Sequence, residues 1–135
     1  MRSMVLTIGV TICSLPTVHA DECVDKATAQ VGMDCCAANA YRASDAELNR
    51  IYREIERRLS DDATTRRLLV ATQRAWLTFR DAECAFAASG AEGGSAYPMV
   101  HNQCLDGLTR MRIDGLRHYL RYQEGDLGCP VPPAN

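Results

Sequence analysis

Cysteine placement constrains this chain more than any other feature. Of its seven cysteines, Cys13 lies in a leader-like N-terminal stretch and the rest stand at positions 23, 35, 36, 84, 104 and 129. The stretch has the three parts of a secretory signal. Arg2 supplies the charge, Met4 to Cys13 the apolar run, and Pro16 with Val18-His19-Ala20 the small-residue ending. Gly9, Ser14, Pro16 and His19 leave the apolar run too short to span about 30 Å of hydrocarbon. Ile12 stands where a lipoprotein signal needs a small residue before its cysteine. Residues 1–20 are therefore expected to be a cleaved signal peptide, with no membrane span after cleavage. Removing Arg2 with the leader leaves 14 basic against 17 acidic residues, a net charge of −3. An even set of cysteines in a small exported domain implies a disulfide framework and an oxidising compartment, periplasmic or secreted.

Other uses of the cysteines and charges fit poorly. Zinc sites favour paired C-x-x-C or H-x-x-C halves, and the chain has no C-x-x-C and only His101-Asn102-Gln103-Cys104. The acidic balance offers no field for nucleic acid. No G-x-S-x-G elbow, H-E-x-x-H pair or phosphate loop occurs. His101 and His118 fall on nearly opposite faces of one expected helix. No catalytic, cofactor-binding or metal-binding residues are expected, and no cofactor.

A chain of 135 residues, 47% hydrophobic and 24% charged, suits one folded domain. Its patterning is helical throughout, with no alternating strand signal. Tyr41, Leu48, Ile51, Tyr52, Ile55 and Leu59 recur at helical spacings and define a long helix from about Cys36 to Leu59. The capping box Ser44-Asp45-Ala46-Glu47 offers an alternative start, but the stripe runs continuously across it. Ser60 to Thr64 forms a turn and cap that folds the next helix back. That helix carries Leu68, Leu69, Thr72, Ala75, Trp76, Phe79, Ala82 and Phe86, whose aromatics are expected in the core. Glycines at 90, 93 and 94 end it. Pro98 starts a third long helix through Cys104, Leu108, Met111, Leu116 and Tyr119. A short helix is expected over Val24 to Met33. The reading is an all-α, disulfide-braced bundle of three long helices plus one short N-terminal helix. It spans 21–124, with a Pro/Gly-rich tail at 125–135 tethered by Cys129.

Three motifs occur in order along these helices: Asp45-x-x-Leu48-Asn49-x-x-Tyr52, then Gln73-x-x-Trp76-x-x-x-Arg80-Asp81-x-x-Cys84, then Thr109-x-x-Arg112-x-x-x-Leu116. Gly93-Gly94-Ser95 and Cys104 lie between the last two. Together they resemble the bacterial exported proteins with the N-terminal domain of the lysozyme inhibitor LprI, over Cys23 to about Leu116. Gln73, Trp76, Arg80 and Cys84 share one helix flank. Arg80 beside a core needs an acceptor, for which Asp45 or helix-end carbonyls serve, making it a polar clamp on helix register; the functional reading makes it a partner anchor.

Bridging Cys84 to Cys104 would close the glycine segment into a loop worth about 3 kcal/mol in the chain-entropy model. The resemblance implies Cys23 with Cys36, leaving Cys35 for Cys129. Geometry objects to the last pair. A helix of about 24 residues spans about 36 Å, whereas the residues after the third helix reach only about 20 Å. A Cys129–Cys23 bridge is an open alternative. The resemblance implies a protein partner, lysozyme, blocked by occlusion of its cleft. Gly90 to Tyr97 would supply the docking tip, with Glu92, Ser95 and Tyr97 as reaching groups. The competing expectation is a cell-envelope structural or interaction module with no lysozyme role. Neither reading fixes the oligomeric state.

Overall fold

The computed structural model describes residues 20–121, 123 and 125–134. The expected signal peptide, apart from its last residue, lies outside them. Four helices make up the described chain: α1 (Ala20–Lys26), α2 (Gln30–Arg58), α3 (Ala63–Ala88) and α4 (Tyr97–Leu120). A single 3-10 turn, Ser89–Ala91, follows α3. No strand occurs among the described residues. The all-α bundle of three long helices and one short one is the architecture observed.

The α1–α2 boundary differs from the expected one. The short helix ends at Lys26, and α2 starts at Gln30 rather than near Cys36. The Cys23–Cys36 bridge explains a break here, because it holds Cα atoms 5.7 Å apart across 13 residues. One continuous helix would separate them by about 20 Å. Ala29 is extended, with φ −142° and ψ 151°, and turns the chain. Gly32 sits against Ala27, where an added Cβ would lie 3.2 Å from the Ala27 Cβ. Ser44 does not start a helix. Its hydroxyl donates back to the Tyr41 carbonyl at 3.0 Å, and α2 runs through.

The core lies between α2 and α4, which are parallel. Gln30 reaches Met99 at one end and Arg58 reaches the Leu120 carbonyl at the other. Leu48, Ile51, Ile55 and Leu59 pack with Ile113 and Leu116 in a single buried cluster. On α4 the buried row is Leu105, Thr109, Ile113 and Leu116. Met111, expected on that helix's inner stripe, is 71% exposed. Asp62 caps α3 by accepting the Thr65 N–H at 2.9 Å. The helix then runs antiparallel to α4, meeting it at Cys84–Cys104 and Gln73–Arg112. Its backbone packs chiefly against α4, with little direct approach to α2. The short turn after α2 reverses the chain without forming a close helical hairpin.

The tail returns to the open end of the bundle. Val131 is fully buried in the core cluster. Cys129 keeps a free thiol, 3.3 Å from the Tyr119 carbonyl. Neither pairing raised for Cys129 forms, because the tail lies at the C-terminal end of α4 while Cys23 joins Cys36 at the far end of α2. The tail is therefore held by apolar burial of Val131, in place of the expected sulfur tether.

Candidate functional site

The inward face of α3 carries two polar side chains, Gln73 and Arg80. Gln73, Arg80, Cys84 and Ala88 are its buried residues, and the first three belong to the sequence motif. Arg80 is enclosed by two aromatic faces, with its guanidinium carbon 5.4 Å from the Tyr41 ring centre and 5.2 Å from that of Trp76. Asp81 accepts from its Nε at 2.9 Å, and Asp45 on α2 lies 3.4 Å from its Nη1. Asp45 is one of the two kinds of acceptor expected from the sequence, the other being helix-end carbonyls. Cation–π contact and charge-assisted hydrogen bonds together keep the buried cation paired. Burial pushes the Tyr41 hydroxyl above its ordinary pKa, against the pull of Arg80.

Trp76 is only half-buried, packed against the edge of the core. A second cation covers it, with Arg112 of α4 5.9 Å from its ring centre. Arg112 donates to Gln73 Oε1 at 3.1 Å. Its Nη2 is buried and has no hydrogen-bond partner among the described residues, and burial lowers its pKa. One indole between two guanidinium groups thus ties α2, α3 and α4 together.

The first motif and Gln73 of the second line a groove between α2 and α3 with a volume of about 420 Å³. Asp45, Leu48, Asn49 and Tyr52 form the α2 wall, and Gln73 begins the α3 wall. Glu56, Val70, Arg74 and Leu77 complete it; sequence reasoning did not single these out, although Glu56, Val70 and Leu77 each fall one helical turn from a motif residue and Arg74 adjoins Gln73. Asn49 donates to Asp45 at 3.2 Å. Burial and then Glu56 raise the Tyr52 hydroxyl's pKa. The groove offers two carboxylates, two amides, a phenol and one guanidinium over an apolar floor, which suits a polar side chain or peptide segment. No nucleophile–base pair is assembled there. Among the described residues no group of three or more His, Cys, Asp or Glu is placed to hold a metal.

The proposed docking tip lies at the other end of α3. Glu92 and Ser95 are exposed, whereas Tyr97 is partly buried and stacks on His101 at 5.5 Å. Gly93 has φ +77°, a left-handed backbone that favours glycine. Gly94 approaches closely, since a Cβ there would lie 3.2 Å from the Ala91 carbonyl. Cys84–Cys104, with Cα atoms 5.5 Å apart, pins both helices beneath the tip. The tip and the groove are separate, and neither Glu92 nor Ser95 is among the residues lining the groove.

A third opened surface joins Glu47, Arg110, Asp114 and Arg117 between α2 and α4. There Arg50 and then Arg117 hold the Glu47 carboxyl at about 2, through bonds of 2.7 and 2.8 Å.

Comparison with known proteins places these features in a wider set. Residues 23–116 match the family described as Lysozyme inhibitor LprI. An uncharacterized protein of Rhizobium meliloti (strain 1021) is 34% identical over 138 residues, covering 92% of this chain and 99% of the relative. The crystal structure of a DUF1311 family protein from Pseudomonas putida KT2440 superposes with a TM-score of 0.61 at 25% identity. That match covers 70% of this chain and 94% of the other. Within the described residues, no helix is long and apolar enough to cross a membrane.

Proposed function

The chain belongs to the LprI lysozyme-inhibitor family, and on that premise we propose that it is an exported protein-binding domain that inhibits lysozyme by occluding its cleft. The observation that carries this reading is the tip over residues 89–97, a short glycine-turned segment braced by Cys84–Cys104 and presenting Glu92 and Ser95 to solvent. Lysozyme chemistry depends on two carboxylates flanking a sugar groove, and a protruding rigid element blocks such a groove. Bracing lowers the ordering cost of binding. The net charge of −3 after leader removal favours encounter with a cationic lysozyme. In this reading residues 1–20 are removed on export to the periplasm or medium.

Cell-wall lysis by lysozyme, with the mature protein in micromolar excess, tests the proposal. Slowed lysis supports it, and unchanged lysis removes it. Glu92→Ala and Tyr97→Ala are expected to weaken inhibition while the far-UV dichroism stays native; unchanged inhibition moves the interface off the tip.

A second reading, an envelope interaction module with no lysozyme role, draws on the groove. Asp45, Leu48, Asn49, Tyr52 and Gln73 all line it and none lies at the tip. The same lysis assay separates the two, because a module of this kind leaves lysis unaffected.

A further inference from the structure

Arg58, Arg80 and Arg112 are at least partly buried, and the bundle does not treat them alike. Arg58 is paired with Glu54, and Arg80 with Asp45 and Asp81. Arg112 has no carboxylate partner among the described residues. Its Nε donates to the neutral Gln73 amide, the Trp76 ring faces its guanidinium carbon at 5.9 Å, and Nη2 is buried without a hydrogen-bond partner. Neither neighbour supplies the negative charge that a cation taken out of water needs. A partly buried guanidinium left in this state points to an anion that completes it.

The cavity beside Arg112 says what the rest of that anion is. Arg112 lines a chamber of about 140 Å³ enclosed by α2, α3, α4 and the tail. Ile55, Leu59 and Val131 are its buried floor, while Leu68 and Pro130 stand exposed at its mouth. No acidic residue lines it, so an entering anion meets no like charge. Its size is close to that of the apolar cavity of about 150 Å³ that admits benzene, which suits a body of about five or six carbons. A sugar would leave hydroxyls unpaired against the aliphatic floor. The planar fork of a guanidinium matches a carboxylate.

We propose that this chamber is a binding site for a small aliphatic monocarboxylate, whose charged group pairs with Arg112 and whose chain lies on Ile55, Leu59 and Val131. The chamber sits at the start of α3 and the tip at its end. The proposal therefore does not depend on the lysozyme reading, and either stands if the other fails.

Titration of the mature protein with hexanoate, followed by proton–nitrogen and methyl correlation spectra, tests the assignment. Saturable shifts are expected at the Arg112 Nε–H and at the Ile55 and Val131 methyls, with a Kd of about 1 mM or below. Hexanol keeps the chain without the charge, and acetate keeps the charge without the chain; each should bind at least about tenfold more weakly. Arg112→Gln is expected to weaken hexanoate binding about tenfold or more and to leave hexanol binding unchanged. Circular dichroism establishes that the variant is folded, and the three probes on the wild-type protein decide the matter if it is not. An Arg112 that only clamps α3 to α4 would lose stability on substitution while hexanoate affinity stayed the same, and that result overturns the proposal. So do shifts confined to other surfaces, no saturable shift up to about 10 mM, or hexanol or acetate binding as tightly as hexanoate.

Discussion

The α2–α4 interface and α3 solve opposite packing problems. Between α2 and α4 the facing rows are aliphatic, with Leu48, Ile51, Ile55 and Leu116 at 0–1% exposure. On α3 the inward row mixes Gln73 and Arg80 with Cys84 and Ala88, while Leu68, Phe79 and Phe86 face water. Aliphatic rows gain stability from area removed from water and are non-directional. The α3 row gains orientation. Arg80 must meet Asp45 and Asp81 between two rings, and Gln73 must meet Arg112, so only one helix rotation satisfies them. The difference teaches that a helix need not turn its most apolar side inward when a disulfide and paired cations fix its rotation.

Substitutions should separate the two regions sharply. Ile55→Ala, fully buried in the α2–α4 seam, is expected to destabilise by about 3–4 kcal/mol, measured by urea unfolding. Arg80→Lys keeps a charge but loses the planar fork and ring stacking, and should cost about 1–2 kcal/mol. A loss as large as that of Ile55→Ala would show that the clamp stabilises the fold as strongly as the aliphatic core does. The acid limb offers a third contrast. Glu47 is held at about 2, below the ordinary 4.5, by Arg50 and by Arg117 of α4. A depressed carboxyl contributes stability above its unfolded pKa, and that contribution fades as pH falls from about 4.5 toward 2. Glu47→Gln should flatten the unfolding midpoint across that window, and an unchanged slope would detach this pair from α2–α4 docking. The smallest effect is expected for Phe79→Ala, whose ring is 55% exposed, within about 0.5 kcal/mol. A larger loss would place Phe79 in the core and erase the contrast.

Much of the bundle was legible residue by residue. The stripe through Leu48, Ile51, Ile55 and Leu59 identified the buried face of α2, because aliphatic residues at three-four spacing have one economical place to go. The cap segment from Ser60 to Thr64 and Pro98 marked helix starts through backbone chemistry that acts locally. Motif spacing put Gln73, Arg80 and Cys84 on one flank, and Asp45 was one of the two acceptors offered for Arg80, whereas the closer one, Asp81, was not foreseen. The same logic failed on α3, where Phe79 and Phe86 were expected inside. The helix carries two usable faces, and periodicity weighs the apolar one without knowing that Cys104 and Arg112 wait opposite the other. The groove was half legible. Its motif residues were named, but Val70, Arg74 and Leu77 became wall only through the spacing between α2 and α3.

By itself the chain's order of residues settled the number and kind of its helices and the sulfur pair under the tip, since propensity, capping and loop closure act over short stretches. Tertiary structure alone decided how α3 is rotated, where Val131 lodges and why Cys129 keeps its thiol. Those outcomes depend on which groups meet across the bundle, and a one-dimensional pattern holds no record of such meetings.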